Sequence, residues 1–582
     1  MSDTVKLNVK SGGKKGGNWA PNPLETVRPS AVDRQATHRK KPWGRSSWKD
    51  ADAQERLSNV TRSSFTESFD ADGRARAKKC QDITYSVVLL AVCVTFVLAL
   101  TLESKVARGG MCLLMMGIIW VTELVKLELA GLVPIFLYPA AGIVKAKVVA
   151  GKFWNGTSFL FCVGFLMGIV LERWNMHKRI SMNMVLLAGN NVSLLLFMMM
   201  LAVYLLSMWI SNTATILCML PVVKSFLATV PEKHRPFKGA MLLAVGWSAT
   251  IGGMSTPVGT PTNTLFLGIY EENWATNESF GFGPFMAFAI PLSFMLLVTA
   301  WVLVCVWHVW TAKEKIEVNL DVFREVKKDI GKMRCEEYVV TIYMLILIVF
   351  WVFQKDLKKA FNLNMMNTGA VGMLFTFPLF FIPTINKKLE LSKNGKDMVP
   401  VKHILEWSYV LPRFKWQILF IFGGGYMAAF GTLESGFAKH LASQITPMPE
   451  FSLAVLVIFV ICFLTEVISN MACVQIFGPI LITIAGQMCY SPLKFLLIVC
   501  FASSFAFMMP MAGGPNMMVF GTGEDFDLKF MAKHGFALNI LACLIGMIYL
   551  NFVMPLILSP DQYGPPLQFA DNAGPNATVL CP

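Results

Sequence analysis

Long apolar runs with very few charges are the feature that most constrains this chain. A helix needs about 20 predominantly apolar residues to cross a bilayer core. Hydrophobic residues make up 55% and charged residues 15% of the 582 positions, and that is too little charge to cover a soluble protein of this size. The sequence therefore predicts an all-α polytopic membrane protein. The eleven predicted spans are residues 84–102, 108–125, 127–144, 156–172, 239–270, 284–308, 338–354, 365–385, 416–433, 493–521 and 532–558.

Two further apolar stretches, residues 185–230 and 451–490, are too long for one crossing. Polar clusters interrupt each near its middle, namely Ser211-Asn212-Thr213 and Ser469-Asn470. A polar bend at membrane depth is tolerated only where it lines a cavity or is buried in protein. Each stretch is therefore predicted to form a re-entrant hairpin.

The first 80 residues are basic, with 17 Lys and Arg against nine Asp and Glu, and lack a helical period. They predict a disordered cytosolic tail lying near anionic lipid; a nucleic-acid arm is the alternative, and no nucleic-acid partner is expected. With this tail inside, four inner connections are rich in Lys and Arg, as the positive-inside rule requires, although Lys145 and Lys355 fall outside. Eleven crossings then place the C-terminus outside, where Asn576-Ala577-Thr578 forms an N-glycosylation acceptor. The predicted parts are the tail (1–80), a first half (81–335), an inverted second half (336–560) and a short extracytosolic tail (561–582).

The two polar clusters belong to an internal repeat. Each has a proline ten residues after its Ser, and a hydroxyl four residues before it, Ser207 or Thr465. About fifty residues later each half has a span interrupted by Gly and Pro. Asn follows Pro by six positions in both interruptions, which run from Pro257 to Asn263 and from Pro510 to Asn516. Because an odd number of crossings separates the halves, the repeats are inverted, which is typical of secondary transporters with a binding site at the breaks.

Broken helices supply the chemistry that such a site needs. Their free N–H groups suit an anion. Their free carbonyls, together with Ser, Thr and Asn oxygens, suit a hard cation such as sodium, and an Asn side chain can serve both because its oxygen accepts while its nitrogen donates. Close helix packing is the alternative role of small polar residues in membrane helices.

These residues resemble the divalent anion/sodium symporter family, which includes sodium-coupled dicarboxylate, citrate and sulfate carriers. The resemblance covers residues 84–558 and also rests on Trp120-Val-Thr-Glu123 and Leu171-Glu-Arg-Trp-Asn-Met-His-Lys-Arg179. It implies symport of sodium with a small anion by an elevator-type homodimer, at the plasma membrane or at a vacuolar membrane. The implied sodium ligands are Ser207, Ser211, Asn212 and the backbone near Gly259 in one site, and Thr465, Ser469, Asn470 and the backbone at Ala512 in the other. The implied anion contacts are Ser211, Asn212, Thr213, Thr260, Pro261, Ser469, Asn470, Met471 and Gly513.

The second half departs from the family pattern at two places. Met471 stands where the family usually has Thr, and Gly513-Gly514 stands where it usually has Thr-Pro. Each change removes a hydroxyl, and a hydrogen bond to a charged group contributes roughly 1.5–3 kcal/mol. The sodium ligands are intact, so the sequence specifies the coupling ion more firmly than the substrate.

Ionisable residues in or near apolar runs are functional candidates. Glu466 lies three residues before Ser469, where bonding to the backbone near the break and proton coupling are both open. Glu123 and Glu434 are the other two carboxylates of this kind, and His177 is expected at the inner surface among basic residues.

Di- and tricarboxylates such as succinate, malate and citrate are the expected substrates, with sulfate or another small anion as the alternative. A membrane sensor that binds anions without moving them is the alternative from another class. A channel would need a charged ring or a filter repeat, and we find no sequence motif for either. An enzyme is not expected, because the sequence shows no nucleophile elbow, metal-ligand cluster or phosphate-binding loop.

Overall fold

A computed structural model describes residues 71–557 apart from short gaps. The gaps are residues 123, 274–279, 312–315, 317–319, 364, 386–388, 392–397, 445, 447 and 523–525. The first helix begins at Ala71, so the predicted end of the tail at residue 80 falls inside that helix. The remainder of the predicted tail, Glu123, the C-terminal tail and the glycosylation acceptor Asn576 lie outside the described residues.

The described part of the first half contains helices and the segments that connect them. Short 3-10 and π turns extend some of its helices, at Glu232–His234 and Cys305–Val309. In chain order the helices are α1 (Ala71–Thr101), α2 (Lys105–Thr122), α3 (Leu127–Ala130), α4 (Pro134–Ala140), α5 (Ala146–Phe153), α6 (Gly156–Arg173), α7 (Met176–Leu186), α8 (Val192–Ser207), α9 (Asn212–Leu227), α10 (Arg235–Gly253), α11 (Pro261–Asn273), α12 (Phe282–Val304) and α13 (Asp321–Ile330).

The second half is also helical, except for one antiparallel pair of short strands, β1 (Leu389–Leu391) and β2 (Met398–Pro400). Short turns lie at Phe377–Phe380, Pro510–Ala512 and Tyr549–Val553. Its helices are α14 (Cys335–Val352), α15 (Gln354–Ala360), α16 (Thr368–Thr376), α17 (Trp407–Val410), α18 (Trp416–Glu434), α19 (Phe437–Ser443), α20 (Glu450–Leu464), α21 (Asn470–Gln487), α22 (Pro492–Ala502), α23 (Gly514–Phe520), α24 (Leu528–Ile548) and α25 (Met554–Ile557).

Eight helical stretches among the described residues are long and apolar enough to cross a membrane. This confirms a polytopic, almost entirely helical membrane protein. Several predicted spans instead consist of shorter helices, because Pro134, Pro261 and Pro492 each begin a new helix within or beside an apolar run. Asn470–Gln487, which the sequence assigns to a hairpin, is one of the eight stretches.

The candidate spans differ in what surrounds them. Thr84–Thr101 is only 11% buried, and most of its exposed side chains are apolar, Val87 and Leu90 among them. Ala146–Arg173 is 72% buried. Since exposed apolar faces of this kind suit lipid rather than water, the first span lies at the rim and the third belongs to the protein interior.

The helix breaks fall where the sequence predicts them. Helices α8 and α9 are interrupted over 208–211, and α20 and α21 over 465–469. Helix α10 ends at Gly253, and α11 begins only at Pro261, whose missing N–H and fixed φ suit the first turn of a helix. Helices α22 and α23 are separated by 503–513 in the same way.

The two halves interlock at these breaks. Helices α9 and α10 of the first half pack against α23 of the second, and α11 of the first half packs against α21 and α22 of the second. Each hairpin is thus seated on the broken helix of the other half, which brings the predicted bends into one region.

Candidate functional site

The first bend places a side-chain amide and a backbone carbonyl around one buried hydroxyl. The Ser207 Oγ lies 2.8 Å from the Asn212 side-chain amide and 2.7 Å from the carbonyl oxygen of Ala249. Ser211 precedes α9 with an extended backbone, and its hydroxyl makes no capping hydrogen bond. The backbone N–H groups at the start of α9 therefore do not donate to the Ser211 side chain.

The second bend repeats this arrangement. The Thr465 Oγ1 lies 2.8 Å from the Asn470 Oδ1 and 2.8 Å from the carbonyl oxygen of Ser503. Ser469 precedes α21 with nearly the same backbone angles as Ser211, and its hydroxyl makes no capping hydrogen bond either. The sequence repeat is therefore a repeat of geometry.

The orientation of the asparagine amide decides how many acceptors each cluster holds. A hydroxyl has one proton to donate. That of Thr465 lies at hydrogen-bonding distance from two acceptors, whereas the hydrogen bonds of Asn212 are satisfied with its nitrogen inward, donating to the Ser207 Oγ. The group of Asn212 that faces inward is also 3.3 Å from the carbonyl oxygens of Ala249 and Gly259. With its nitrogen inward, this amide donates to those oxygens; with its oxygen inward, it completes an all-oxygen cluster, and a hard cation prefers such ligands.

Glycine is required where the first bend approaches the break in α10–α11. A Cβ added at Gly253 would lie 2.2 Å from the Asn212 Oδ1, and one at Gly259 would lie 2.6 Å from the carbonyl oxygen of Gly253. Both distances are far below van der Waals contact. The absence of a side chain lets backbone oxygens reach the cluster.

Two asparagine side chains donate hydrogen bonds to backbone carbonyls at the breaks. Asn263 Nδ2 donates to the carbonyl oxygens of Gly253, Met254 and Thr256, at 3.1, 3.2 and 2.8 Å. Asn516 Nδ2 donates to those of Ala506 and Met509, at 2.9 and 3.1 Å. These carbonyls lie in or beside unwound segments, and the two asparagines satisfy them. The Pro-to-Asn spacing marks the asparagines in the sequence but does not reveal this role.

The first bend meets the broken helix of the second half at Thr213. A Cβ on Gly514, at the start of α23, would lie 2.2 Å from the Thr213 Oγ1. Thr260, the residue before α11, is buried, whereas Pro261, Met471 and Gly513 are half-buried. The structure therefore joins Ser207, Asn212 and Gly259 in one cluster, joins Thr465 and Asn470 in a second, and places Thr213 against the second half.

The carbonyls of Ala249 and Ser503 are part of the site but were missed by sequence reasoning. Any residue supplies a carbonyl, so a sequence carries no signal for this role beyond its distance from a break. Ala512, the predicted backbone ligand of the second site, is buried in the turn Pro510–Ala512.

Glu466 is buried directly behind the second break. Its carboxylate accepts from the backbone N–H groups of Phe507, Met508 and Met509, at 2.8, 3.0 and 2.8 Å, and from Asn539 Nδ2 at 2.6 Å. Of the two roles that the sequence leaves open, bonding to the backbone is the one seen in this geometry.

The remaining ionisable candidates lie away from the bends. Glu434 forms an exposed ion pair with Lys105 at 3.4 Å. His177 is buried in α7, and burial together with the nearby Lys178 charge lowers the pKa of His177 to about 4.

Paired oxygen clusters at matched breaks of interlocking repeats define a secondary transporter. Residues 77–558 match the family described as the sodium:sulfate symporter transmembrane region, and the chain belongs to this family. The predicted family resemblance is thereby confirmed.

Two of its relatives are named sodium-dependent dicarboxylate transporter SdcS. The protein of Staphylococcus saprophyticus is 30% identical over 459 residues, which cover 77% of this chain and 86% of the relative. That of Staphylococcus aureus is 30% identical over 458 residues, which cover 76% and 85%. Among solved structures, MtrF of Neisseria gonorrhoeae aligns with 79% of this chain and 97% of its own at 13% identity, with a TM-score of 0.46.

Proposed function

We propose that this protein is a sodium-coupled symporter of small organic anions, with dicarboxylates as the first substrate class. The observation that carries the proposal is the pair of clusters built on Ser207 and Thr465, with hydroxyl-to-acceptor distances that agree within 0.1 Å. Sodium prefers oxygen ligands of this kind. The names of the two staphylococcal relatives support both the ion and the substrate class.

Each cluster would bind one sodium ion, and the anion would lie between the bends. Sodium would thereby supply the positive charge that a carboxylate needs, together with the N-terminal ends of α9 and α21. Anion affinity would then depend on sodium, and sodium affinity on the anion, because such coupling is reciprocal. The proposed sodium ligands are Ser207, Ser211, Asn212 and Gly259, and Thr465, Ser469, Asn470 and Ala512. The proposed anion contacts are Ser211, Asn212, Thr213, Thr260, Pro261, Ser469, Asn470, Met471 and Gly513.

The proposed arrangement in the membrane has eleven crossings and two re-entrant hairpins, with the basic tail in the cytosol. The C-terminal tail would be extracytosolic and glycosylated at Asn576. The protein would work as an elevator-type homodimer, most simply at the plasma membrane. The inverted repeat and the interlocked breaks support this arrangement, because a site shared by both halves can be opened to either side in turn.

Uptake into liposomes tests the function. Purified protein is reconstituted, and labelled succinate is supplied under an inward sodium gradient or an equal potassium gradient. Sodium should raise the initial rate by about tenfold or more, within the usual range of coupling between sites. Equal rates in the two gradients would refute sodium coupling. Sodium-dependent binding without uptake would instead indicate an anion sensor.

Sulfate is a second candidate, and a specific observation favours it. The second half lacks hydroxyls at Met471 and Gly513, so it offers fewer side-chain donors to a second carboxylate. Sulfate is compact and needs only one set of donors. Competition of unlabelled sulfate against labelled succinate decides between them, since a sulfate carrier should lose most succinate uptake at low sulfate concentration.

A further inference from the structure

The matched hydrogen bonds give each residue of one bend a defined counterpart in the other. Ser207 and Thr465, with Asn212 and Asn470, make equivalent contacts. Beyond the hairpins, Asn263 and Asn516 hold equivalent carbonyls. These pairs fix which side chains stand in corresponding places, independently of any other protein.

Hydroxyls of the first half correspond to apolar groups in the second. Thr213, next to Asn212, corresponds to Met471, next to Asn470. Thr260, three residues before Asn263, corresponds to Gly513, three residues before Asn516. Val258 and Met511 also correspond, because each lies five residues before the asparagine of its half. Val258 is 8% exposed and Met511 is 65% exposed. The second half therefore has a thioether and a glycine where the first has two hydroxyls, and an exposed Met511 where the first has a buried Val258.

The second half also differs in what lies behind its break. The Glu466 carboxyl group accepts from the N–H groups of Phe507, Met508 and Met509 beside the bend. Its counterpart in the first hairpin is Met208, whose carbonyl accepts from the Thr256 hydroxyl instead. The first half has no acidic side chain at this position, and a carboxyl group is an unfavourable neighbour for an anion, so this observation also directs a carboxylate to the first half.

We propose that the anion site is polarised: one carboxylate is held by Ser211, Thr213 and Thr260, while Met471 and Met511 receive an apolar part of the substrate. The favoured class is then a carboxylate that carries an alkyl or aryl substituent, rather than an unsubstituted symmetric dicarboxylate. This inference rests on the proposed sodium-coupled carboxylate symport and specifies its substrate class.

Ligand binding to the purified full-length protein tests the inference. Thermal stability is measured in sodium with increasing succinate, butylsuccinate or hexanoate, and each titration is repeated in potassium. Each buried methylene contributes about fourfold in affinity, so butylsuccinate should bind at least about tenfold more tightly than succinate. Equal or weaker binding of butylsuccinate would overturn the polarised site while leaving sodium-dependent succinate binding, and the proposed function, intact. Binding of none of the carboxylates would overturn both.

A double variant supplies the matched comparison. Met471→Thr with Gly513→Thr restores the two hydroxyls, and Gly513 has room because an added Cβ would meet only Pro515 Cδ, at 3.8 Å. The double variant should lower the preference for butylsuccinate over succinate by about tenfold or more. An unchanged preference in a variant that still binds succinate would contradict the assignment of these two positions. If the double variant does not fold, Met471→Thr alone is measured. The comparison of butylsuccinate with succinate binding to the wild-type protein tests the polarised site without any variant.

Discussion

The first and second bends share one kind of chemistry and differ in another. Each places a hydroxyl between an asparagine amide and a backbone carbonyl at 2.7–2.8 Å. Around these clusters the first half has Thr213 and Thr260, whereas the second has Met471 and Gly513. Cation ligands survive this divergence because several of them are carbonyls, which any residue supplies. Side-chain donors for an anion have no such substitute.

The largest expected effect comes from removing the shared part. Asn212→Ala and Asn470→Ala should each lower sodium-driven succinate uptake by about 100-fold, because each loses a ligand to a charged group and leaves buried oxygens unsatisfied. Initial rates in liposomes, normalised to reconstituted protein, provide the measurement.

Asn551→Ala is the matched control, since the Asn551 amide donates only locally, to the carbonyl oxygen of Met547. Its uptake rate should stay within about twofold of the wild type. If one of the two bend variants retained normal uptake, the halves would not be equivalent in cation binding.

Substitution of Glu466 tests a set of side-chain-to-backbone hydrogen bonds that the second half has and the first half lacks. Glu466→Ala leaves three backbone N–H groups and the Asn539 amide without their acceptor, so it should lower the free energy of unfolding by about 2 kcal/mol or more. Met208→Leu, at the corresponding position of the first half, should change it by less than about 1 kcal/mol. Denaturant unfolding in detergent measures both, and equal losses would contradict the difference between the halves.

Substitution of Gly253, at the first break, tests whether the sodium cluster depends on the close approach of this glycine to Asn212. Gly253→Ala should raise the sodium concentration needed for half-maximal uptake by about tenfold, because its Cβ would displace the Asn212 amide. Ala506 already occupies the corresponding place in the second half, so Ala506→Gly should shift that concentration by less than about twofold. Similar shifts in the two variants would show that the sodium cluster does not depend on close approach at Gly253.

Much of this comparison was accessible from the sequence, because Ser207, Asn212, Thr465 and Asn470 recur at fixed spacing and each half has its own break. The carbonyls of Ala249 and Ser503 were not, since they act through the backbone. The contact between Thr213 and Gly514 was also not accessible from the sequence, because it joins positions far apart in the chain. Glu466 was recognised as a candidate, but only the positions of the N–H groups of 507–509 reveal what it binds.

Span lengths were predicted less well than breaks. Apolar composition marks a run as membrane-embedded, but a proline inside it decides whether one helix or two results. Pro134 and Pro261 therefore begin helices inside stretches that composition alone treats as continuous. The Lys and Arg residues around His177 gave no signal that α7 buries its side chain.

The smallest expected effect is on the pH dependence of stability, through His177 of the first half. Since the pKa of His177 in the first half is lowered to about 4 by burial, the unfolded chain binds more protons than the folded protein between about pH 4 and 6.5. Stability should therefore be greatest above pH 6.5 and fall by about 1 kcal/mol at pH 5.5. His177→Gln should show a correspondingly smaller loss between pH 7.5 and 5.5 in detergent. A loss identical to that of the wild type would place the titrating group elsewhere.

Sodium binding to the purified protein tests the central claim most directly. Equilibrium binding of labelled sodium, in the presence of saturating succinate, is compared among the wild type, Asn212→Ala, Asn470→Ala and the double variant. The account predicts that each single variant loses one of the ions bound by the wild type and that the double variant loses two. Retention of the full number by the double variant would contradict the assignment of the two matched clusters as the sodium sites.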